Sequence, residues 1–401
     1  MAILRPLHRA WRLLPARPRR RLFTALTAAI APRPDRAPPP ARHGIAVAGD
    51  LAQATGLGEA ARLMLRGLQG CGVDCWPLDL AAKKISLPPP GVPLVIHINA
   101  PMLPAALLRL PRALLPGRRV VGYWAWELPV MPVEWHPALR FVHEIWVPSR
   151  FTATAIETVA PGRVRVVPPP LGVLPPLRSS LDRAAFGLQD TAVVVLMSFN
   201  LASSFERKNP MAAIAAFRAA FGDRKDRLLL LKVGNPAHFP RDFAVLRAAA
   251  AAAPNIRIDT SLLSAADHAA LIAGSDIVIS LHRAEGLGLV PAEAMQLGKP
   301  VIATGWSGNM DFMDEASAAL VGYRLVPARD ARHVYDVNGA VWAEPDMQEA
   351  VAQLRRLADD AAERAALGAR ARNSITARLG ADPLANAVRD LGLSVGVSMA
   401  A

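Results

Sequence analysis

Cysteine is nearly absent from this 401-residue chain: Cys71 and Cys75 are the only two, and no histidine cluster accompanies them at metal-ligand spacing. A disulfide framework and a cysteine-held zinc site therefore have no basis, and both thiols read as ordinary buried side chains. No Asp-x-Asp pair occurs either. A divalent ion bridging carboxylates and a phosphorylated ligand would lack its usual protein ligands, so no metal and no cofactor are expected. Long hydrophobic runs are missing as well. The apolar piece near the start, Leu22 to Ala31, is far too short to span a bilayer.

Acidic residues are scarce where basic ones are dense. Through Arg42 the chain carries ten arginines against Asp35 alone, which accounts for +9 of the net +13 and leaves only +4 for everything else. The basicity thus belongs to an arm and not to a nucleic-acid-binding face. That arm interleaves Leu4, Leu7, Trp11, Leu13, Leu14, Leu22, Phe23 and Leu26 with arginine, a pattern suited to an anionic membrane surface at about 1 kcal/mol per basic residue. The bland alternative is a disordered leader whose prolines prevent a continuous helix.

What is present points to two domains. The length exceeds what one core usually holds, and a hydrophobic content of 52% can fill two. A proline-rich connection at Pro168–Pro170 and Pro175–Pro176 follows the strand-like VRVV and precedes a second strand, Ala192 to Met197. In the first half, Ile45 to Ala48 reads as a strand, and Gly56, Leu57 and Gly58 open an amphipathic helix.

The stretch from Ser275 to Gly308 carries the chemistry. Asp276 to Leu281 and Val301 to Thr304 read as neighbouring buried parallel strands. Between them, Pro291 suits the first residue of a helix that Gly298 closes, which puts Glu293 in the first turn and Glu285 at the strand exit. Gly286 and Gly288 let the main chain approach a ligand, and free N–H groups at the helix start suit a phosphate. Glu293 alone would often only complement the helix dipole. A carboxylate beside two glycines at the end of a parallel strand falls where open α/β sheets bind ligands.

EGLGLVPAE, with seven residues between its two glutamates, resembles the signature of the retaining family 4 glycosyltransferases of bacterial surface-polysaccharide type. The resemblance runs on through GLGEAAR (56–62), GYWAWELP (122–129), EIWVPSRF (144–151), ERKNP (206–210), TGWSGNMDFM (304–313) and WAEPD (342–346). It implies an α/β protein of GT-B architecture, two Rossmann-like domains whose parallel sheets face each other across a cleft. The expected layout is a basic arm at 1–42, an acceptor domain at 43–172, a donor domain at 173–380, and a segment at 381–401 that similar proteins return to the first domain.

The resemblance also assigns roles. Glu285 would hold hydroxyls of the donor sugar, Glu293 the ribose, and the backbone of Gly286, Leu287, Gly288 and Leu289 sugar and phosphate. Lys208, with Arg207 standing in for a missing family arginine, would stabilise the departing diphosphate. Gly56, Gly58, Ser307, Gly308 and Asn309 would shape the donor pocket. The family's histidine near the sugar has no counterpart; Trp124, Trp126 and Glu127 occupy its place, apt for a sugar's C–H faces and hydroxyls, and His97 is the other cleft candidate. The expected partners are a nucleoside diphosphate sugar (mannose from GDP-mannose, with a UDP-sugar next) and a glycan or lipid-linked acceptor. The expected place is the cytoplasm, at the inner face of the membrane. Two alternatives stay open: a dinucleotide-dependent oxidoreductase using the G-x-G-x-x-A pattern of Gly56, Gly58 and Ala61 with Asp79 further on, and a noncatalytic nucleotide-sugar-binding protein.

Overall fold

In the computed structural model the described residues are 16–53 and 55–396. The part of the arm before Ala16, with Leu4, Leu7, Trp11 and their neighbouring arginines, lies outside them. β1 (Ile45–Gly49) is buried along its whole length. Ile45 and Val47 enter one apolar cluster while Ala46 and Ala48 enter another, because successive side chains of a strand point to opposite faces. Its sheet is all parallel, with β2 (Cys75–Asp79), β3 (Leu94–Ile96), β4 (Val120–Tyr123), β5 (Glu144–Val147) and β6 (Val164–Val166) in the order β2-β1-β3-β4-β5-β6.

The second sheet repeats the design. β7 (Val193–Asn200), β8 (Arg227–Gly234), β9 (Ile256–Asp259), β10 (Ile277–Ser280), β11 (Val301–Thr304) and β12 (Ala319–Val321) are ordered β12-β11-β10-β7-β8-β9, again parallel. Val195, Met197 and Phe199 face one cluster, and Val194 and Leu196 the other. In each sheet the strand order reverses beside the founding strand, at β1/β3 and at β7/β10. Crevices for ligands open at such points, outside the carboxyl ends of the strands. An antiparallel hairpin of β13 (Tyr323–Pro327) and β14 (Val341–Pro345) follows β12, joined by residues 328–340.

Both ends of the described chain pack on the first sheet's side. The helix Asp382–Asp390 buries Leu384, Ala385, Ala387 and Val388 in the cluster that holds Ile45, Val47, Met64 and Leu68. At the other end, the helix Ala16–Ile30 buries Thr24, Thr27 and Ala28. Arg140 donates to its Ala28 carbonyl at 2.7 Å, and Arg21 pairs with Glu134 at 2.6 Å. A wholly disordered leader is therefore wrong for residues 16–30: the arm's prolines fall outside the middle of this helix, and one face of it finds an apolar partner. Leu22, Phe23, Leu26 and Ile30 remain exposed on another face. No helix among the described residues is long and apolar enough to cross a membrane.

Candidate active site in the interdomain cleft

A cleft of about 1450 Å³ lies between the two sheets. Its walls include Gly56, Gly58, His97, Trp126 and Glu127 from the first sheet's side and Lys208, Glu285, Leu289 and Glu293 from the second's. The loop after β10 supplies the base. Glu285 is 6% exposed and its carboxylate accepts from Lys208 Nζ at 2.5 Å and pairs with Arg207 at 3.1 Å. Burial alone would raise its pKa, but Lys208 and Arg207 outweigh that and hold it down at about 2. The carboxylate is thus a fixed anion with fixed hydrogen bonds. The same burial lowers the Lys208 ammonium despite Glu285, yet Lys208 keeps a cleft-facing side chain that is 20% exposed.

Gly288 sits at φ 93°, a left-handed turn that a Cβ would strain, and the helix Leu289–Gln296 starts immediately after it. The helix therefore begins two residues before the expected Pro291, and Glu293 falls in its second turn, not its first. Proline is tolerated there because the first N–H groups of a helix have no intrahelical acceptor. Gly298 still closes the helix, at φ 71°. Glu293 faces Glu59 of the opposite wall; burial and this second carboxylate raise its pKa to about 8, against the lowering effect of Arg62.

The remaining expected residues divide. Gly56 begins the helix Gly56–Gly70, where Thr55 caps the end by accepting from the Gly58 N–H at 3.1 Å. Gly286, Leu287 and Gly288 line the cleft with Glu285. His97 also lines it, but its ring stacks on Tyr123 at 4.2 Å and contacts Met64 Sδ. Burial lowers its pKa to about 3, so it stays neutral. Trp126 lines the cleft while donating its Nε1–H to the Val130 carbonyl.

Several assignments need correction. Trp124 is fully buried and meets Trp135 edge-on at 6.1 Å; it is core, packed in the apolar cluster that also holds Trp135 and Phe141. Trp126 and Glu127 line the cleft but offer a sugar little surface, at 3% exposure for Trp126 and 16% for the Glu127 side chain. Ser307, Gly308 and Asn309 stand behind the Glu285 loop and are not part of the cleft wall. Ser307 Oγ accepts from the Glu285 N–H at 2.9 Å, and Gly308 N–H donates to the Glu285 carbonyl at 3.0 Å. A Cβ on Gly308 would stand 2.2 Å from the Gly286 carbonyl oxygen, so glycine is required for this close approach. Asn309 joins His282 Nε2 at 3.1 Å and the Thr304 carbonyl at 3.0 Å. Arg207 points inward, 3% exposed, to Glu285, Glu127 and the Ala284 carbonyl. It supports Glu285 and does not present itself to a diphosphate.

Other cleft residues escaped the sequence reading. Ser198 at the end of β7 bonds His268 Nε2 at 2.8 Å, and His268 Nδ1 lies 3.7 Å from Glu293. Lys232, near the end of β8, is held by Ser261 and Asp259. Position at strand ends could have flagged Ser198 and Lys232. Tyr335, in the 328–340 segment, had no signal at all. Among the described residues no group of three or more His, Cys, Asp or Glu is placed to hold a metal ion.

This arrangement defines a two-domain α/β protein with a carboxylate-and-lysine centre at a cleft between parallel sheets. Residues 182–374 match the family described as glycosyl transferases group 1. No curated protein matches the sequence. Among solved structures, the chain is similar to sucrose-phosphate synthase from Thermosynechococcus elongatus, with 17% identity, TM-score 0.63, and 88% of this chain and 99% of that one covered. It is also similar to HepE from Anabaena in complex with UDP and glucose, with 14% identity, TM-score 0.58, and 87% and 99% covered. A third is a glycosyltransferase from Rickettsia africae, at 12% identity, TM-score 0.60, and 87% and 98% covered. The match over residues 182–374 together with the GT-B fold supports a glycosyltransferase.

Proposed function

We propose that the protein moves a sugar from a nucleoside diphosphate donor to a glycan or lipid-linked acceptor with retained anomeric configuration, in the manner of family 4 enzymes of surface-polysaccharide synthesis. The observation that carries this reading is Glu285, a buried anion clamped by Lys208 at the floor of the cleft, with Glu293 on the same wall. Glu285 would accept hydrogen bonds from donor-sugar hydroxyls. The free N–H groups of the first turn, from Leu289 on, would meet the phosphates, and Glu293 would hold the ribose. Lys208 would leave Glu285 in part and meet the charge that develops on the departing diphosphate. That swing is physically reasonable, since Arg207 stays behind to balance Glu285. Because HepE is seen with UDP-glucose, UDP-glucose is the first donor to try, ahead of GDP-mannose. A place at the inner membrane face is supported by the arginines and exposed apolar side chains of the helix Ala16–Ile30.

The test is a thermal-shift screen of the purified chain against GDP, UDP, ADP and their common sugars, with NAD and NADP alongside, repeated on Glu293→Ala. Stabilisation by one nucleoside diphosphate that weakens in the variant is expected. Stabilisation by NAD alone, indifferent to the substitution, would overturn the reading.

A further inference from the structure

The segment 328–340 leaves its own domain. It projects from the β13/β14 hairpin of the second half, yet Ala328, Tyr335, Ala340 and Trp342 are buried in the apolar cluster that holds Trp126, Leu128 and Trp135 of the first. Tyr335 stacks on Trp126 with ring centroids 5.5 Å apart and planes 14° from parallel. Its hydroxyl donates to Glu127 Oε2 at 3.1 Å. This hydrogen bond crosses the cleft within reach of the reacting groups.

Its other end is the Glu285 centre. The Arg207 guanidinium lies 3.5 Å from Glu127 and 3.1 Å from Glu285, and 5.6 Å over the Tyr335 ring. Two carboxylates from different domains therefore share one buried cation. Such a cation is costly to leave short of a partner; the Ala284 and Ser203 carbonyls hold part of the guanidinium, at 2.7 and 3.1 Å, and the two carboxylates complete its surroundings. The segment reaches Glu127 from a base anchored on the second half. Ala331 N–H donates to Glu206 at 3.0 Å, and Arg332 holds the Leu201 carbonyl at 2.7 Å, pairs with Asp242 and lies 4.0 Å over the Phe239 ring. On the outer side, Arg20 of the helix Ala16–Ile30 donates to the Arg332 carbonyl at 2.9 Å.

We infer that Tyr335 and Glu127 form a clasp across the cleft that positions Arg207 against Glu285, making both of them positioning residues for glycosyl transfer. The clasp rests on the reading of Glu285 as the donor-sugar carboxylate. When Lys208 turns to the diphosphate, Arg207 becomes the main counter-ion of Glu285, and only the anchored guanidinium keeps the carboxylate aimed at the sugar. The device also ties domain closure to the reactive centre: Tyr335 meets Glu127 only while the two halves are together, so Arg207 is fully seated only in the closed cleft. Water exclusion and assembly of the centre then occur in one motion.

The discriminating variant is Tyr335→Phe, which keeps the ring on Trp126 and deletes only the hydroxyl; Glu127→Gln removes the charge at the other end, and Tyr335→Ala removes the ring too. Each is followed by melting temperature, hydrogen exchange of the 328–340 amides, UDP binding, and turnover of UDP-glucose. For Tyr335→Phe and Glu127→Gln we expect UDP affinity within about threefold of the parent and kcat lower by about 10- to 100-fold with little change in KM, the cost of losing a hydrogen bond to a charged group. Exchange at 328–340 should quicken while the sheets stay protected. A role in packing alone predicts that Tyr335→Phe matches the parent in kcat and exchange and that only Tyr335→Ala is impaired; that result overturns the clasp. If the parent itself turns over no nucleotide sugar, the proposed function fails. Exchange then decides the clasp, which survives if Tyr335→Phe quickens it and falls if it does not.

Discussion

At the scale of single residues, Glu285, Glu293 and Lys208 are three ionisable groups of the cleft whose burial differs in its consequences. Glu285 is folded-state acidic, at about 2, so its stabilising contribution is present above the ordinary carboxylate range near 4.5 and is lost as pH falls from there toward 2. Glu293 runs the other way. With its pKa raised to about 8, the folded chain holds an extra proton between about 4.5 and 8, and stability declines as pH rises through that window. Glu293→Gln should therefore melt higher than the parent at pH 9, by about 1–3 kcal/mol given a side chain that is 20% exposed, with the gap closing at pH 4. Thermal melts across pH check it, and equal melting at both ends would remove the burial argument. Lys208→Ala should lower kcat by about 10²- to 10³-fold if its charge meets the leaving diphosphate. Steady-state kinetics with the donor found by thermal shift decides this; a change confined to KM would restrict Lys208 to ground-state binding.

At the scale of elements, the loop after β10 works because a second loop stands behind it. The 304–309 turn hydrogen-bonds both the N–H and the carbonyl of Glu285, and Gly308 allows the two backbones to touch. Gly308→Ala should cost about 2–4 kcal/mol by forcing those loops apart, read as a loss in denaturant midpoint together with weaker nucleotide binding. Unchanged stability would mean the loops can separate freely. The sequence showed this element as a pocket wall because residue type reveals that a strand-to-helix loop is near a site, not which of two stacked loops is in front. The same limit explains Trp124: its neighbour Trp126 reaches the cleft, and the two indoles are indistinguishable until the strand exit is placed in space.

At the scale of the whole molecule, two sheets make one cleft, and two segments that follow the second sheet cross back to the first half. The helix Asp382–Asp390 seals against the first half, and the 328–340 segment reaches across as well. The helix Ala16–Ile30 adds an exposed apolar face, Leu22, Leu26 and Ile30, beside basic side chains. Deleting residues before Arg42 should lower cosedimentation with anionic liposomes and leave neutral liposomes unaffected. Unchanged cosedimentation would remove the membrane reading. Because Arg20 touches the 328–340 segment, the same deletion should also quicken hydrogen exchange there.

Local order determined much of this protein from sequence alone. Alternating or continuous apolar runs fix strands, Gly298 fixes the end of the helix after β10, and EGLGLVPAE places two carboxylates and a glycine loop within one strand-loop-helix unit, since short-range backbone geometry leaves few other options. Tertiary structure decided everything that depends on residues far apart in the chain. Arg207 faces inward because Glu127 and Glu285, from different sheets, converge on it. Glu293 becomes a weak acid because Glu59 and a buried wall come to meet it. Tyr335 enters the centre because a hairpin folds across the cleft. Charge pairing and burial are properties of the assembled space, and no local pattern encodes them.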